Sequence, residues 1–301
     1  MQLEVTADRR AASPSLRAKD WVVAGYLAVE AVLVFAAREN LAGWAGYLAA
    51  HAVMVALVVG LALGARASGG GLAVLLHGWY PLLYIPIIFT MLGPLVPAVN
   101  PRTYDDVLLV WDQRLFGGHP GSWFDPIATP LVTEILRACW LSYFVFPILV
   151  AVGLWRRGDR RPFAEYVFVL MLGWLLSYLG YYVVPALGPG YWPERVPAPE
   201  AVTSRGVTQT VALALFSLEW AKHDVFPSGH TMIALLVLWQ AWRHRLRGWW
   251  VLVPFVAGLL VATVYLRYHY GVDVLVGIVL ALGIAWVVKI LAGLRPGSTS
   301  E

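Results

Sequence analysis

The chain has 301 residues, of which 59% are hydrophobic and 13% charged, with a formal net charge of +4. A water-soluble domain of this size lacks the polar surface to cover so much apolar side chain, so the composition specifies an all-α, multi-pass integral membrane protein. The single cysteine, Cys139, excludes an internal disulfide, and the basic residues lie in short blocks between apolar runs, a pattern of membrane topology and not of a nucleic-acid surface.

Residues 1–20 form a polar N-terminal tail, expected on the cytoplasmic side. The apolar run behind it ends at "AAREN" without a small-x-small cleavage site and reads as a retained signal anchor. Helices long enough to cross about 30 Å of hydrocarbon are expected near 21–37, 41–65, 72–97, 135–155, 163–184, 228–242, 249–267 and 271–292. The first run is short, and the third carries Pro81, Pro86, Pro94 and Pro97, which should kink or end it. A seven-span alternative would lay one of these two runs in the interface.

The eight spans divide the chain into N-terminal transmembrane helices (21–97), an extracytoplasmic loop (98–134), a C-terminal transmembrane region (135–292) and a cytoplasmic tail (293–301). The loop contains "YDDVLLVWDQRLFGGHPGSWF", in which Val107, Leu108, Trp111, Leu115 and Phe116 make one apolar face of a short interfacial helix. A second long connection, 185–227, opens with "PALGPGYWPERVPAPE"; connections of that length are commonly lids or binding elements. On the eight-span topology 14 Lys and Arg fall on the side of the termini and 8 on the other, so both termini are expected in the cytoplasm.

Two motifs share the outer side. In "VFPSGHTMIALL" (225–236), Ser228 is a candidate N-cap, and the helix that it opens offers free backbone N–H groups suited to an oxyanion. In "YLRYHYGVDVLVG" (265–277), His269 and Asp273 are four residues apart, one face of a helix, so the carboxylate is expected to fix the imidazole tautomer and leave a lone pair free for nucleophilic attack. The spans that begin at His230 and end before His269 are joined by a short turn, "RHRLRG" (243–248), which returns both histidines to one membrane face.

"PSGH" followed by "HYGVD" resembles the second and third signature motifs of the type 2 phosphatidic acid phosphatase (PAP2) superfamily, and the "HYxxD" form looks most like its inositol phosphorylceramide synthase and sphingomyelin synthase branch. The resemblance implies a six-helix PAP2-like core, a phosphorylated membrane lipid as substrate, and no metal or other cofactor. It also implies roles: His269 attacks phosphorus, Asp273 orients it, and His230 protonates the leaving alkoxide. Water or a hydroxyl then accepts the group, and the motifs leave that choice open.

The sequence departs from the family pattern in two places. Thr263 stands where the third motif carries arginine, and the first motif, Lys-x6-Arg-Pro, is absent; Arg161-Pro162 imitates its end on the wrong side. Phosphate is therefore expected to meet Ser228 and Gly229 together with cations drawn from Arg137, Arg205, Arg267, Lys222 and Arg102, with Arg137 and Arg205 preferred because charges at the bilayer edge tend to face the bundle interior. Arg267 reads equally well as a snorkelling anchor. Tyr191 and Trp192 are expected at headgroup depth.

His51, His77, His119, His223 and His244 read as packing or interfacial residues. Two rival functions are carried: a Mg²⁺-dependent alcohol-phosphate or prenyl transferase built on Asp105, Asp106 and Asp112, which otherwise form a solvated outward loop, and a lipid transporter or flippase without catalysis.

Overall fold

The computed structural model describes residues 16–68, 70–204, 206–218 and 221–293, and among these the regular structure is helical throughout. In chain order the helices are α1 (Ala18–Ala36), α2 (Trp44–Ser68), α3 (Gly71–Val99), α4 (Asp105–Phe116), α5 (Pro130–Trp155), α6 (Arg160–Val183), α7 (Glu200–Thr203), α8 (Val207–Leu218), α9 (Gly229–Arg243), α10 (Leu252–Tyr265) and α11 (Gly271–Gly293). Each of the eight expected spans is a helix. Five of them, α2, α3, α5, α6 and α11, are long and apolar enough to cross a membrane by length and composition. Of the other three, α1 carries Lys19, Asp20 and Glu30, while α9 and α10 have 15 and 14 residues.

Some boundaries differ from the sequence expectation. α1 starts inside the expected tail 1–20, and α5 starts at Pro130, inside the expected loop, where Thr129 caps it by accepting from the N–H of Val132 and proline occupies the first turn. Most of the two terminal tails, 1–15 and 294–301, lies outside the described residues.

α3 neither breaks nor ends at its four prolines. Proline at 81 removes the N–H that would bond the carbonyl of His77, and that carbonyl instead receives the buried ammonium of Lys19 from α1. Lys19 also lies 3.4 Å from Asp20, which binds the Tyr80 hydroxyl at 2.7 Å and the ring of His77 at 3.0 Å. A second buried pair, Glu30 with His51 at 3.0 Å, takes the hydroxyls of Tyr26 and Tyr182. Charges in hydrocarbon need such partners, and here they tie α1, α2 and α3 to one another and to α6.

The C-terminal half is arranged around α9, which packs against α5, α6, α10 and α11. α9 and α10 are antiparallel legs joined through 244–251, where Gly248 takes a left-handed φ of 79° ahead of the 3-10 turn Trp249–Val251. α11 passes the start of α9 so closely that a Cβ on Gly277 would lie 2.8 Å from the Ser228 carbonyl oxygen. Glycine therefore sets the distance between the two helices that carry the motifs.

α4 exposes Val107, Trp111 and Leu115 on one side, but Leu108, expected on that same apolar face, is buried on the other with Asp105 and Asp112. The acids were expected in solvent, and only Asp106 is, where it pairs with Arg195.

Candidate active site

The two motif histidines meet. Nε2 of His269 lies 3.3 Å from Nδ1 of His230, with ring centroids 5.4 Å apart. His230 sits in the first turn of α9 behind Ser228, which caps the helix by accepting from the N–H of Thr231. Three aromatic rings of α5 hold its imidazole: Trp140 stacks on it at 5.3 Å, Tyr143 lies tilted against it at 4.3 Å, and Phe144 meets it edge-on at 6.4 Å. Its Nε2 is enclosed and makes no hydrogen bond.

His269 lies between α10 and α11 and is fixed at every backbone and ring position but one. Its N–H donates to the carbonyl of Thr263 at 3.0 Å, so the residue at the missing arginine position holds the loop through its backbone. Its carbonyl accepts from Nε2 of His119 at 3.1 Å, while Nδ1 of His119 accepts from the N–H of Gly121 at 3.0 Å. Its Nδ1 lies 3.0 Å from the Val225 carbonyl and 3.6 Å from Oδ2 of Asp273. A carbonyl only accepts, so Nδ1 carries the proton and Nε2 turns its lone pair toward His230.

The expected tautomer is thus present, but the hydrogen bond that selects it comes from Val225 and not from Asp273. Asp273 accepts from the N–H of Tyr270 at 2.9 Å, and its Oδ1 is buried without a partner. Burial pushes the His269 imidazole down to about 4, against the opposing charge of Asp224. Burial likewise lowers His119 to about 4. These rings are neutral near pH 7.

Two chambers converge on His230 and Asp224, which line both. The first, about 240 Å³, is apolar and lies between α3, α5 and α6, with Ile85, Phe89, Phe144 and Trp174 among its walls. The second, about 310 Å³, holds His269, Lys222 and Tyr191 beneath the loop that begins at residue 185, with Trp140, Phe216 and Tyr268 as aromatic walls. Asp224 had no place in the sequence reading. An acid at the edge of an apolar run, six residues before the motif histidine, was the signal for it. Burial raises its carboxyl above the ordinary range, opposed chiefly by His269.

The other expected residues divide. Gly229 lines the first chamber, where a Cβ would stand 2.9 Å from the Tyr181 hydroxyl; Ser228 is fully buried and its hydroxyl donates to Thr231. Lys222 reaches the second chamber while donating to the Phe216 carbonyl at 3.1 Å. Arg267 also borders it, but its guanidinium is buried on Asp125, Pro197 and Tyr265, a clamp on the outer loops and not a snorkelling anchor. Arg137 lines neither chamber: it donates to the Val202 carbonyl at 2.8 Å and pairs with Glu134 at 3.3 Å. Tyr191 is half-exposed at the mouth of the second chamber, whereas the ring N–H of Trp192 is enclosed outside it. Arg205 lies outside the described residues.

The three loop acids do not converge. Asp105 accepts from the N–H groups of Leu187 and Gly188 and from the Tyr270 hydroxyl. Asp112 caps α11 by accepting from Gly271 and Val272, both at 2.9 Å. Among the described residues no group of three His, Cys, Asp or Glu side chains is placed to hold a metal ion. The acids instead fasten α4 to the 185–200 loop and to the start of α11, which carries Asp273.

Comparison with known proteins agrees with this arrangement. The family model "PAP2 superfamily" matches residues 107–287, more than half of the chain, including His230, His269 and Asp273. A phosphoinositol dihydroceramide synthase from Bacteroides thetaiotaomicron is 27% identical over 191 residues, a match that spans 59% of this chain and 60% of that protein. No solved structure matches the chain. The paired histidines therefore stand in a family context that covers both helices carrying them, and the chain belongs to the PAP2 superfamily.

Proposed function

We propose that this protein is a lipid phosphotransferase that moves a phosphoryl-linked headgroup from a phospholipid to a hydroxyl acceptor through a phosphohistidine at His269. One observation carries the reading: Nε2 of His269 faces His230 at 3.3 Å, at the meeting point of two separate chambers. A phosphatase needs room for one lipid and a water. Two chambers flanking one nitrogen pair suit a lipid donor and a second organic substrate, and the similarity to a phosphoinositol dihydroceramide synthase supports a phosphodiester headgroup and a ceramide-like alcohol.

In the first half-reaction the anionic phosphate bound beside His230 draws a proton from solvent onto that ring, and His230 acts as imidazolium. Nε2 of His269 bonds to phosphorus, the bond from phosphorus to the lipid oxygen breaks, and His230 gives its proton to that oxygen. The ring of His269 then holds Nδ1–H and N–P together and bears positive charge, which the carboxylate of Asp273 at 3.6 Å stabilises. In the second half-reaction the neutral His230 takes the proton of the acceptor hydroxyl as its oxygen attacks phosphorus and His269 leaves. Phosphate charge is met by the N-terminus of α9 at Ser228 and Gly229 and by Lys222, while Arg137 and Arg267 hold the outer loops in place.

The site belongs on the extracytoplasmic face. The excess of Lys and Arg on the side of the termini, 14 against 8, supports this. The function is tested with purified protein and a panel of phospholipids, each with and without polyol and ceramide acceptors. A new acceptor-linked lipid is the expected product; release of free phosphate regardless of acceptor would make the enzyme a phosphatase and overturn the transfer reading.

A further inference from the structure

α1 and α11 both pack on α6 but make no substantial contact with each other, and the space between them is a groove floored by α6. Its length divides into two parts. Nearer the histidine face is an apolar stretch of about 570 Å³ between Val29, Leu176 and Leu280, and at the opposite membrane face it continues into a space of about 450 Å³ bordered by Arg17, Lys19 and Arg161. No residue lines both stretches, but their linings follow one another about a helical turn apart, Phe168 then Leu172 on α6 and Val288 then Ile284 on α11.

The charges at the basic end are not cancelled there. Arg17 and Arg161 are exposed. Lys19 is consumed by Asp20 and the His77 carbonyl, and the one acid in the lining, Glu165, is held by Arg243 at 2.7 Å and His244 at 3.5 Å. Two guanidinium groups with no acidic partner among the described residues thus stand at the headgroup level of an apolar groove, on the face opposite His230 and His269. α1 lies outside the segment that matches the family.

We propose that this groove binds an anionic phospholipid from the leaflet opposite the active site, with its phosphate between Arg17 and Arg161 and an acyl chain along α6. Arginine suits phosphate because its donors form a planar fork, and basic pockets between membrane helices recognise acidic headgroups in this way. The lining has room for the chain: a Cβ on Gly25 or Gly283 would meet nothing within 4 Å, so both glycines open the groove and pack against no protein atom.

Delipidated full-length protein is incubated with equimolar phosphatidylglycerol and phosphatidylcholine, and retained lipid is counted by native mass spectrometry. The native chain is expected to prefer phosphatidylglycerol by about 25-fold, since each of the two basic groups at the headgroup contributes about a factor of five. The double variant R17Q/R161Q is expected to lose that preference, and Gly283→Leu to lose retention of both lipids. Equal retention by the native chain, or an unchanged preference in R17Q/R161Q, overturns the proposal. A dimer of the native chain that dissociates in Gly283→Leu would assign the groove to a second copy and overturn it as well. The readout is lipid retention, so it stands apart from the fate of the transfer reaction.

Discussion

Asp273 places Oδ2 3.6 Å from Nδ1 of His269 while accepting its own hydrogen bond from Tyr270, so the carboxyl stands beside the imidazole without fixing its tautomer, and its part in the proposed mechanism is to meet the charge of the phosphorylated ring. The Val225 carbonyl already fixes the tautomer. Asp273→Asn keeps the size and the acceptor for Tyr270 but removes the charge. Turnover should fall by about 10²–10⁴, the range associated with lost catalytic-dyad electrostatics, while the melting temperature changes little. Turnover within a factor of about three of the native value would remove Asp273 from the mechanism.

The acidity of His269 gives a pH signature. In the proposed mechanism its neutral form is the nucleophile, and burial keeps it neutral down to about 4. Protonation consumes the nucleophile only as pH falls through that value, so the acid limb of kcat/KM should lie near 4 and not near the ordinary histidine value of about 6.5. A pH–rate profile between about 3 and 8 checks this; an acid limb at about 6.5 would mean a solvated imidazole.

Gly277 sets the spacing between α9 and α11. A methyl group there would lie 2.8 Å from the Ser228 carbonyl and 3.2 Å from Thr231 Cβ, so the helices must part. Gly277→Ala is expected to cost about 1–3 kcal/mol, the usual range for overpacking, and to lower turnover more than substrate binding because the histidines separate. Thermal unfolding in detergent and steady-state kinetics measure both effects.

The reach of the sequence can be judged at these same residues. The helices were legible because hydrocarbon thickness dictates their length, and the meeting of His230 with His269 followed from one short hairpin. What stayed hidden depends on contacts between distant segments. Nothing local to α3 tells that Lys19 satisfies the carbonyl freed by Pro81, nor that Asp105 and Asp112 turn inward to bind backbone N–H groups at 187–188 and 271–272. Arg137 was the natural phosphate ligand by position, yet the Val202 carbonyl takes its guanidinium. Val225 holds His269 through its backbone, and a backbone role leaves no mark on residue type.

The apolar chamber gives a test of substrate orientation. Ile85 and Phe89 reach it from α3, which lies outside the matched family segment. Ile85→Trp should fill part of the roughly 240 Å³ and raise KM for long-chain lipids several-fold, with short-chain analogues less affected. Equal effects on all chain lengths would place the hydrocarbon elsewhere.

The central claim is a covalent bond between Nε2 of His269 and phosphorus. Acid-labile, base-stable label should appear on the peptide containing His269 when the protein is mixed with donor lipid carrying ³²P in its headgroup and quenched before acceptor is added. The label should chase into product on addition of acceptor and be missing in His269→Ala. Transfer that proceeds in His269→Ala, or label that never joins the protein during native turnover, would contradict the account.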